Sequence, residues 1–323
     1  MTTQNRRGRT RSSASGLAQR EHRASNTVQV LFLYATVVLI WGSTWIAITY
    51  QLGVVADEVS IAYRFGIGAI ALYLYAAITR RNLLLPANSY PFVFMQGTLL
   101  FCLNYILVYY GTAHISSGLV AVVFGGIVIC NALFERLFFK TPIDGRLLLA
   151  GGLGLTGIAL IFWPEINSIS LADETVLGVS LILAAVVVAS LGNMTATVNT
   201  RRALPVVVVN AHAMAWSSLL SFAIAALLGR EFNFSFEKGY IISLAYLAIF
   251  GSAIAFGCYL ALIRRIGPAR AAYSSVLFPV VALAISTFVE GYRWTMLAAV
   301  GVLMTLAGNW LMLRRRTQIR KNS

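Results

Sequence analysis

Charge is what this sequence has least of. Asp, Glu, Lys and Arg make up 11% of its 323 residues and 59% are hydrophobic, where an ordinary soluble domain is about 25% charged. That balance excludes a chain built to dissolve in water. Cysteine is scarce too: Cys102, Cys130 and Cys258 all lie inside apolar runs, where a thiol is a small core side chain. Neither a disulfide framework nor a metal spacing results. GxxxxGK[ST], HExxH and any Cys/His cluster are missing, which argues against ATP-driven pumping, metal chemistry and a bound cofactor. No link between apolar runs exceeds about a dozen residues, so no soluble domain fits between them.

What is present is a series of long apolar segments. With about 20 apolar residues needed to cross a bilayer, ten are expected, at 28–50, 58–79, 90–111, 115–137 and 146–163, then 176–199, 205–228, 239–262, 269–289 and 294–313. Small residues recur within them, such as Gly151, Gly152, Gly154 and Gly157, and Gly301 with Gly308, and these let helix backbones approach closely in lipid. Residues 1–27 are rich in Arg, Ser, Gln and Asn without an apolar run, the composition of a disordered basic tail. A second basic tail follows at 314–323.

The formal charge of +14 lies in these tails and in short links, so it reports membrane orientation and not nucleic-acid binding. If the N-terminal tail is cytoplasmic, that side gathers all of the 25 basic residues except Arg64, Arg230, Lys238 and Arg293. The other side collects Asp57, Glu58, Glu165, Asp173, Glu174, Glu231 and Glu237. The positive-inside rule gives this alternation for an even number of spans with both termini cytoplasmic.

The chain is also duplicated. CYLALIRRIGPARAAYSSVLFPVVALAISTFVEG, residues 258–291, lies on LNYILVYYGTAHISSGLVAVVFGGIVICNALFER at a shift of 155, pairing Tyr259 with Asn104, Pro279 with Phe124 and Glu290 with Glu135. Five spans per copy is an odd number, which reverses the second copy in the membrane. The expected architecture is an all-α membrane protein of ten transmembrane helices, built as two inverted five-helix repeats at 28–163 and 176–313. Such pairs place a substrate site near the bilayer midplane between the repeats and expose it to each side in turn.

Polar residues inside spans are costly unless paired, wetted or functional. Arg64 stands about seven residues, or roughly 10 Å, into the second span. It offers a planar donor fork to a carboxylate or phosphate, or else snorkels to the interface or ties helices together. Asn104, Tyr105 and Tyr109 share the third span with Tyr259 as a repeat equivalent; an amide and phenols there orient a polar solute or bond helix to helix. Trp41 and Trp45 line one face of the first span and Asn193 sits mid-way along the sixth, giving an aromatic wall and a facing amide, with core packing as the alternative. His212, in the seventh span beside Asn210, is a candidate for proton coupling, against a neutral histidine bonded to a neighbouring helix. Glu135 and Glu290 fall at span ends beside Arg136 and Arg293 and read as caps or ion-pair partners. No intramembrane carboxylate pair offers a proton or sodium site.

The run YLALIRRIGPARAAYSSVLFPVVALAISTFVEGYRW, followed by MLAAVGVLMTLAGNWLML, resembles the end of the EamA domain of the drug/metabolite transporter superfamily. The opening LIWGSTWIAITYQLGVVADEVSIAYRF, with Trp41-Gly42 and Tyr63-Arg64-Phe65, resembles its first two spans. The similarity covers residues 28–313 as two domains in tandem. It implies ten spans, a cavity between inverted repeats, and export or exchange of metabolites such as amino acids and nucleosides without ATP. One departure is Phe124-Gly125-Gly126 in the first copy where the second has Phe278-Pro279, so a kink there uses glycine in one copy and proline in the other.

The sequence therefore reads as a non-enzymatic secondary transporter of the cytoplasmic membrane. Its expected cargo is a small polar or amphipathic metabolite, amino acids and their derivatives first, exported by alternating access. Candidate substrate contacts are Trp41, Arg64, Asn104, Tyr105, Asn193 and Tyr259. Two alternatives stay open: an assembly or sensory membrane protein that keeps the fold without transporting, and a membrane-embedded transferase.

Overall fold

Helix starts and stops follow local chemistry along the whole chain. In the computed structural model, residues 27–44, 47–48, 50–51, 53–115, 117–167, 173–289 and 294–313 are described. Trp45, Glu290, Arg293 and both basic tails lie outside them. The first half contains α1 (Thr27–Thr44) and α2 (Asp57–Ile78), then α3 (Ala87–Thr112), α4 (Ser117–Gly125), α5 (Ile127–Phe139) and α6 (Gly145–Ile161). The second contains α7 (Asp173–Arg201), α8 (Val206–Leu227) and α9 (Lys238–Ile266), then α10 (Pro268–Ala272), α11 (Phe278–Val289) and α12 (Met296–Leu313). No strand occurs among the described residues. Among the described residues eight helical stretches are long and apolar enough to cross a membrane, namely α1, α2, α3, α7, α8, α9 and the runs Val122–Phe139 and Pro268–Ile285, while α6 and α12 are apolar but shorter.

Asp57 and Glu58 occupy the first turn of α2, where carboxylates complement the helix dipole. Asp144 caps α6 by accepting from the Arg146 amide at 3.1 Å. Between α9 and α10, Gly267 takes φ +83°, a left-handed conformation that glycine adopts without a Cβ penalty. Pro268 then opens α10 at its first position, where its missing N–H costs nothing.

Two segments expected as single spans are broken. The stretch around 115–137 divides at Gly126 into α4 and α5. The stretch at 269–289 divides into α10, a 3₁₀ turn at Tyr273–Leu277 and α11. Pro279 is the second residue of α11, so the amide it lacks falls at a helix start. The break in one half falls at a glycine and in the other beside a proline.

The distribution of polarity is reversed relative to a water-soluble protein. Gln96, Asn131, Asn193 and Asn210 are fully buried, while Phe288 is 90% and Leu227 87% exposed. Lipid outside accepts those apolar side chains, and amides are kept inward, where other protein groups bond them. Small residues then set the closest approaches. A Cβ added at Gly157 of α6 would lie 2.4 Å from Thr305 Oγ1 and 2.6 Å from the Gly301 carbonyl of α12. One added at Gly97 of α3 would meet the Ala213 carbonyl of α8 at 2.3 Å. Among the described residues the most extensive helix pairs are α3–α7, α6–α12 and α2–α8, and each joins one half of the chain to the other.

Candidate functional site

Both α3 and α9 contain a π-helical segment, Gly97–Leu103 in the first and Leu247–Ile254 in the second. A π turn disrupts the regular i to i+4 ladder and frees backbone groups to bond elsewhere. In α9 the Gly251 carbonyl accepts the Trp41 indole N–H at 2.8 Å. The next residue, Ser252, accepts Arg64 Nε at 2.9 Å. Gly251 itself has no side chain to interfere: a Cβ there would stand 3.2 Å from both Arg64 Nη2 and Thr44 Cγ2. One irregular turn thus fixes both a tryptophan from α1 and an arginine from α2.

Around them is a cavity of about 140 Å³, walled by α1 to α5, α7, α9, α10 and α11. Cavities of about 150 Å³ hold a benzene-sized body. On one flank Trp41 packs against Phe256, Tyr259 and Phe278 with ring centroids 4.7, 5.2 and 5.7 Å away, making an aromatic box. Arg64 stands at another part of the wall. Its side chain is 1% exposed, its Cζ lies 4.7 Å from the centre of the Tyr105 ring, and Nη2 reaches the Tyr105 hydroxyl at 3.5 Å. Nη1 is buried with no hydrogen-bond partner among the described residues.

Two amides add to the polar lining, beside hydroxyls of Thr44, Tyr109, Ser274 and Ser275. Asn104 Nδ2 donates to the Leu100 carbonyl at 3.4 Å, and Asn193 Nδ2 donates to Asn131 Oδ1 at 3.4 Å. Both side-chain oxygens, Asn104 Oδ1 and Asn193 Oδ1, are buried without a donor among the described residues. Asn131 is held in place by the Ser190 hydroxyl at 2.5 Å and by its own donation to the Pro268 carbonyl at 3.3 Å. The cavity therefore offers an unpaired cationic donor, two unpaired carbonyl oxygens and an aromatic flank. A small solute with an anionic end, a donor group and an apolar body satisfies all three.

Trp41, Arg64, Asn104, Tyr105, Asn193 and Tyr259, drawn from five helices, all line this one cavity. His212 does not. Its Nε2 lies 2.8 Å from the Leu83 carbonyl and its Nδ1 2.7 Å from the Tyr73 hydroxyl. A carbonyl only accepts, so Nε2 donates to Leu83, and Nδ1 shares its hydrogen bond with the Tyr73 hydroxyl. Glu135 Oε2 accepts from the Ala269 amide at 3.2 Å, fastening α5 to the start of α10.

Several contributors have no clear mark in the sequence. Phe256 and Phe278 look like any apolar residue in a span, and Ser252 like any small one. Asn131 carried a signal: it lies four residues before Glu135, on the same helix face. At the side that charge assigns as external, Glu58 binds the Tyr110 hydroxyl and pairs with Arg230 Nε at 3.4 Å. Bonding to Tyr110, then the charge of Glu58, raises the Arg230 pKa above its ordinary value.

Against the known families, residues 29–163 and 176–314 each match the EamA-like transporter model. The chain belongs to the EamA-like transporter family. This EamA-like protein is 23% identical over 298 residues to protein PagO of Salmonella typhimurium, covering 90% of this chain and 94% of that one. It is 26% identical over 284 residues to the uncharacterized inner membrane transporter YedA of Escherichia coli strain K12, covering 84% and 89%. A crystal structure of another protein aligns with 89% of this chain and 96% of its own at 18% identity and a TM-score of 0.72, which shows a shared fold. With its apolar helices, this membership makes the chain a multi-pass protein of the cell membrane, related to proteins named as transporters.

Proposed function

We propose that this EamA-like protein is a secondary exporter of small polar or amphipathic metabolites, amino acids and their derivatives first, across the bacterial cytoplasmic membrane. The observation that carries the reading is the cavity itself. Six polar and aromatic residues from helices of both halves converge on it, and three of them hold buried polar atoms without a hydrogen-bond partner among the described residues. Arg64 would take the carboxylate, the oxygens of Asn104 and Asn193 the ammonium group, and the aromatic box the side chain. Export is assigned by analogy with the family.

The cycle is alternating access between two inverted five-helix repeats with ten crossings. The pairing of α2 with α8 and of α6 with α12, each joining helices of equivalent rank in the two halves, supports that symmetry. At 17 residues, α6 is about 26 Å long, close to the roughly 30 Å hydrocarbon core. Its shortness is compatible with a crossing. Both termini are placed in the cytoplasm by the distribution of basic residues.

The test is counterflow in proteoliposomes preloaded with a mixed panel of amino acids, nucleosides and organic acids and sampled by mass spectrometry. Protein-dependent exchange of one chemical class is expected. No exchange of any member by folded, inserted protein overturns the transport reading.

A further inference from the structure

The Arg64 guanidinium is a cation, and it is 1% exposed. Among the described residues no Asp or Glu lines the cavity it faces. Both ion pairs among the described residues lie elsewhere, at Arg230 with Glu58 and at Arg270 with Asp144. Asp57 shares the Arg64 face of α2 but stands seven residues away, about 10 Å along the helix. Ser252, Tyr105 and Tyr109 supply dipoles to the guanidinium, and Nη1 has no hydrogen-bond partner among the described residues. Dipoles solvate a charge without cancelling it. A buried ion left without a counter-charge is among the costliest arrangements a protein can hold.

This cost bears on the transport cycle and rests on the transport reading above. While the cavity is open to either side, water and dissolved anions reach Arg64. Passing from one side to the other requires a state closed to both, and there the arginine must find its counter-charge inside the cavity. We infer that the cargo's own oxyanion, a carboxylate or phosphate bound at Arg64, provides that counter-charge, so that the carrier crosses loaded and returns loaded: it is an obligatory exchanger of small oxyanion-bearing solutes. The empty carrier is held back by the unpaired arginine. Solutes that are only cationic or neutral do not release it, and exchange of equally charged solutes moves no net charge across the bilayer.

The experiment uses the full chain in proteoliposomes and compares uptake of one labelled solute at a time into two kinds of vesicle. One is preloaded with the same solute and the other holds only chloride buffer. The probes are alanine, glutamate, succinate, inorganic phosphate, choline and glycerol. The expected result is flux of at least one oxyanion probe that is roughly 100-fold faster into preloaded vesicles, the scale set by an uncompensated buried ion, with no flux of choline or glycerol. Carboxylate and phosphate sources are told apart by which probe moves. Arg64→Gln should abolish the dependence on preloading, while Arg64→Lys, which keeps the charge, should retain it at weaker affinity. Should Arg64→Gln fail to fold, the Lys variant and the wild-type comparison still decide. Equal flux into both kinds of vesicle, or exchange of choline or glycerol, overturns obligatory exchange and leaves transport standing. No protein-dependent flux of any probe overturns both.

Discussion

Phe101 and Phe256 meet edge to face with their ring centroids 4.7 Å apart, and they are separated by 155 residues, the offset that lays one half of the sequence on the other. A residue touches its own counterpart only where the two halves approach a common axis. These phenylalanines sit one turn before Asn104 and Tyr259, which are counterparts under the same offset and both line the cavity. Replacing either ring by leucine should lower stability, and the double replacement should cost less than the sum by about 1 kcal/mol, the scale of an aromatic pair. Unfolding of the four proteins in mixed micelles measures the coupling, and strict additivity would detach the two rings.

Asn104→Leu and Asn193→Leu each remove one unpaired carbonyl oxygen from the cavity and keep its volume similar. Each should raise the half-saturating solute concentration about tenfold, the scale of one hydrogen bond to a charged group. Melting temperature should stay near wild type or rise, because a buried polar atom without a protein partner has been replaced by an apolar one. Loss of folding without a change in affinity in the surviving protein would assign both amides to helix packing.

Gly157→Ala places a methyl group where Thr305 Oγ1 and the Gly301 carbonyl already stand. Neither backbone can yield without separating α6 from α12. A loss of about 1–3 kcal/mol is expected, as for overpacked cores, with transport per folded molecule unchanged. A thermal denaturation series in detergent checks this, and an unchanged melting temperature would mean that the two helices pack less closely.

Arg230→Gln leaves the Glu58 carboxylate, whose side chain is 1% exposed, facing only the Tyr110 hydroxyl. The double variant Glu58→Gln with Arg230→Gln removes the stranded charge as well. Its melting temperature should therefore lie above that of Arg230→Gln alone. A double variant no more stable than the single one would show that Glu58 gains nothing from Arg230.

His212→Asn breaks the bridge between the Tyr73 hydroxyl and the Leu83 carbonyl, which lies away from the cavity. Stability should fall. The pH profile of solute exchange between about pH 6 and 8, where histidine titrates, should keep its shape. A flattened profile would instead give His212 a part in proton coupling.

The long apolar helices were legible in the sequence because lipid acts on composition alone, and eight of the ten expected crossings coincide with stretches of that length among the described residues. So were Arg64, Asn104, Asn193 and Tyr259, since a polar group in an apolar run must have an inward reason to be there. Phe256 and Phe278 were not. Lipid and protein interior are both apolar, so hydrophobic periodicity does not say which face of a span looks inward. The breaks at Gly126 and Pro279 were legible as kinks, but their extent was set by packing: α11 starts beside α1, where a Cβ on Gly42 would lie 2.6 Å from the Val281 Cβ.

The π turn in α3 has a further consequence, in angular phase. At 100° per residue, Gln96 and Asn104, eight apart, would point about 80° from each other on an unbroken α-helix. One residue absorbed by the π turn brings them to within about 20°. The same helix face can then carry Gln96, bonded to Asn199 and Asn210, and the cavity amide Asn104 one storey above. Deleting a single residue within Gly97–Leu103 would leave Gln96 and Asn104 seven apart on a regular α-helix, again within about 20° of each other, so the deletion should remove the irregular turn and keep the direction of the cavity amide.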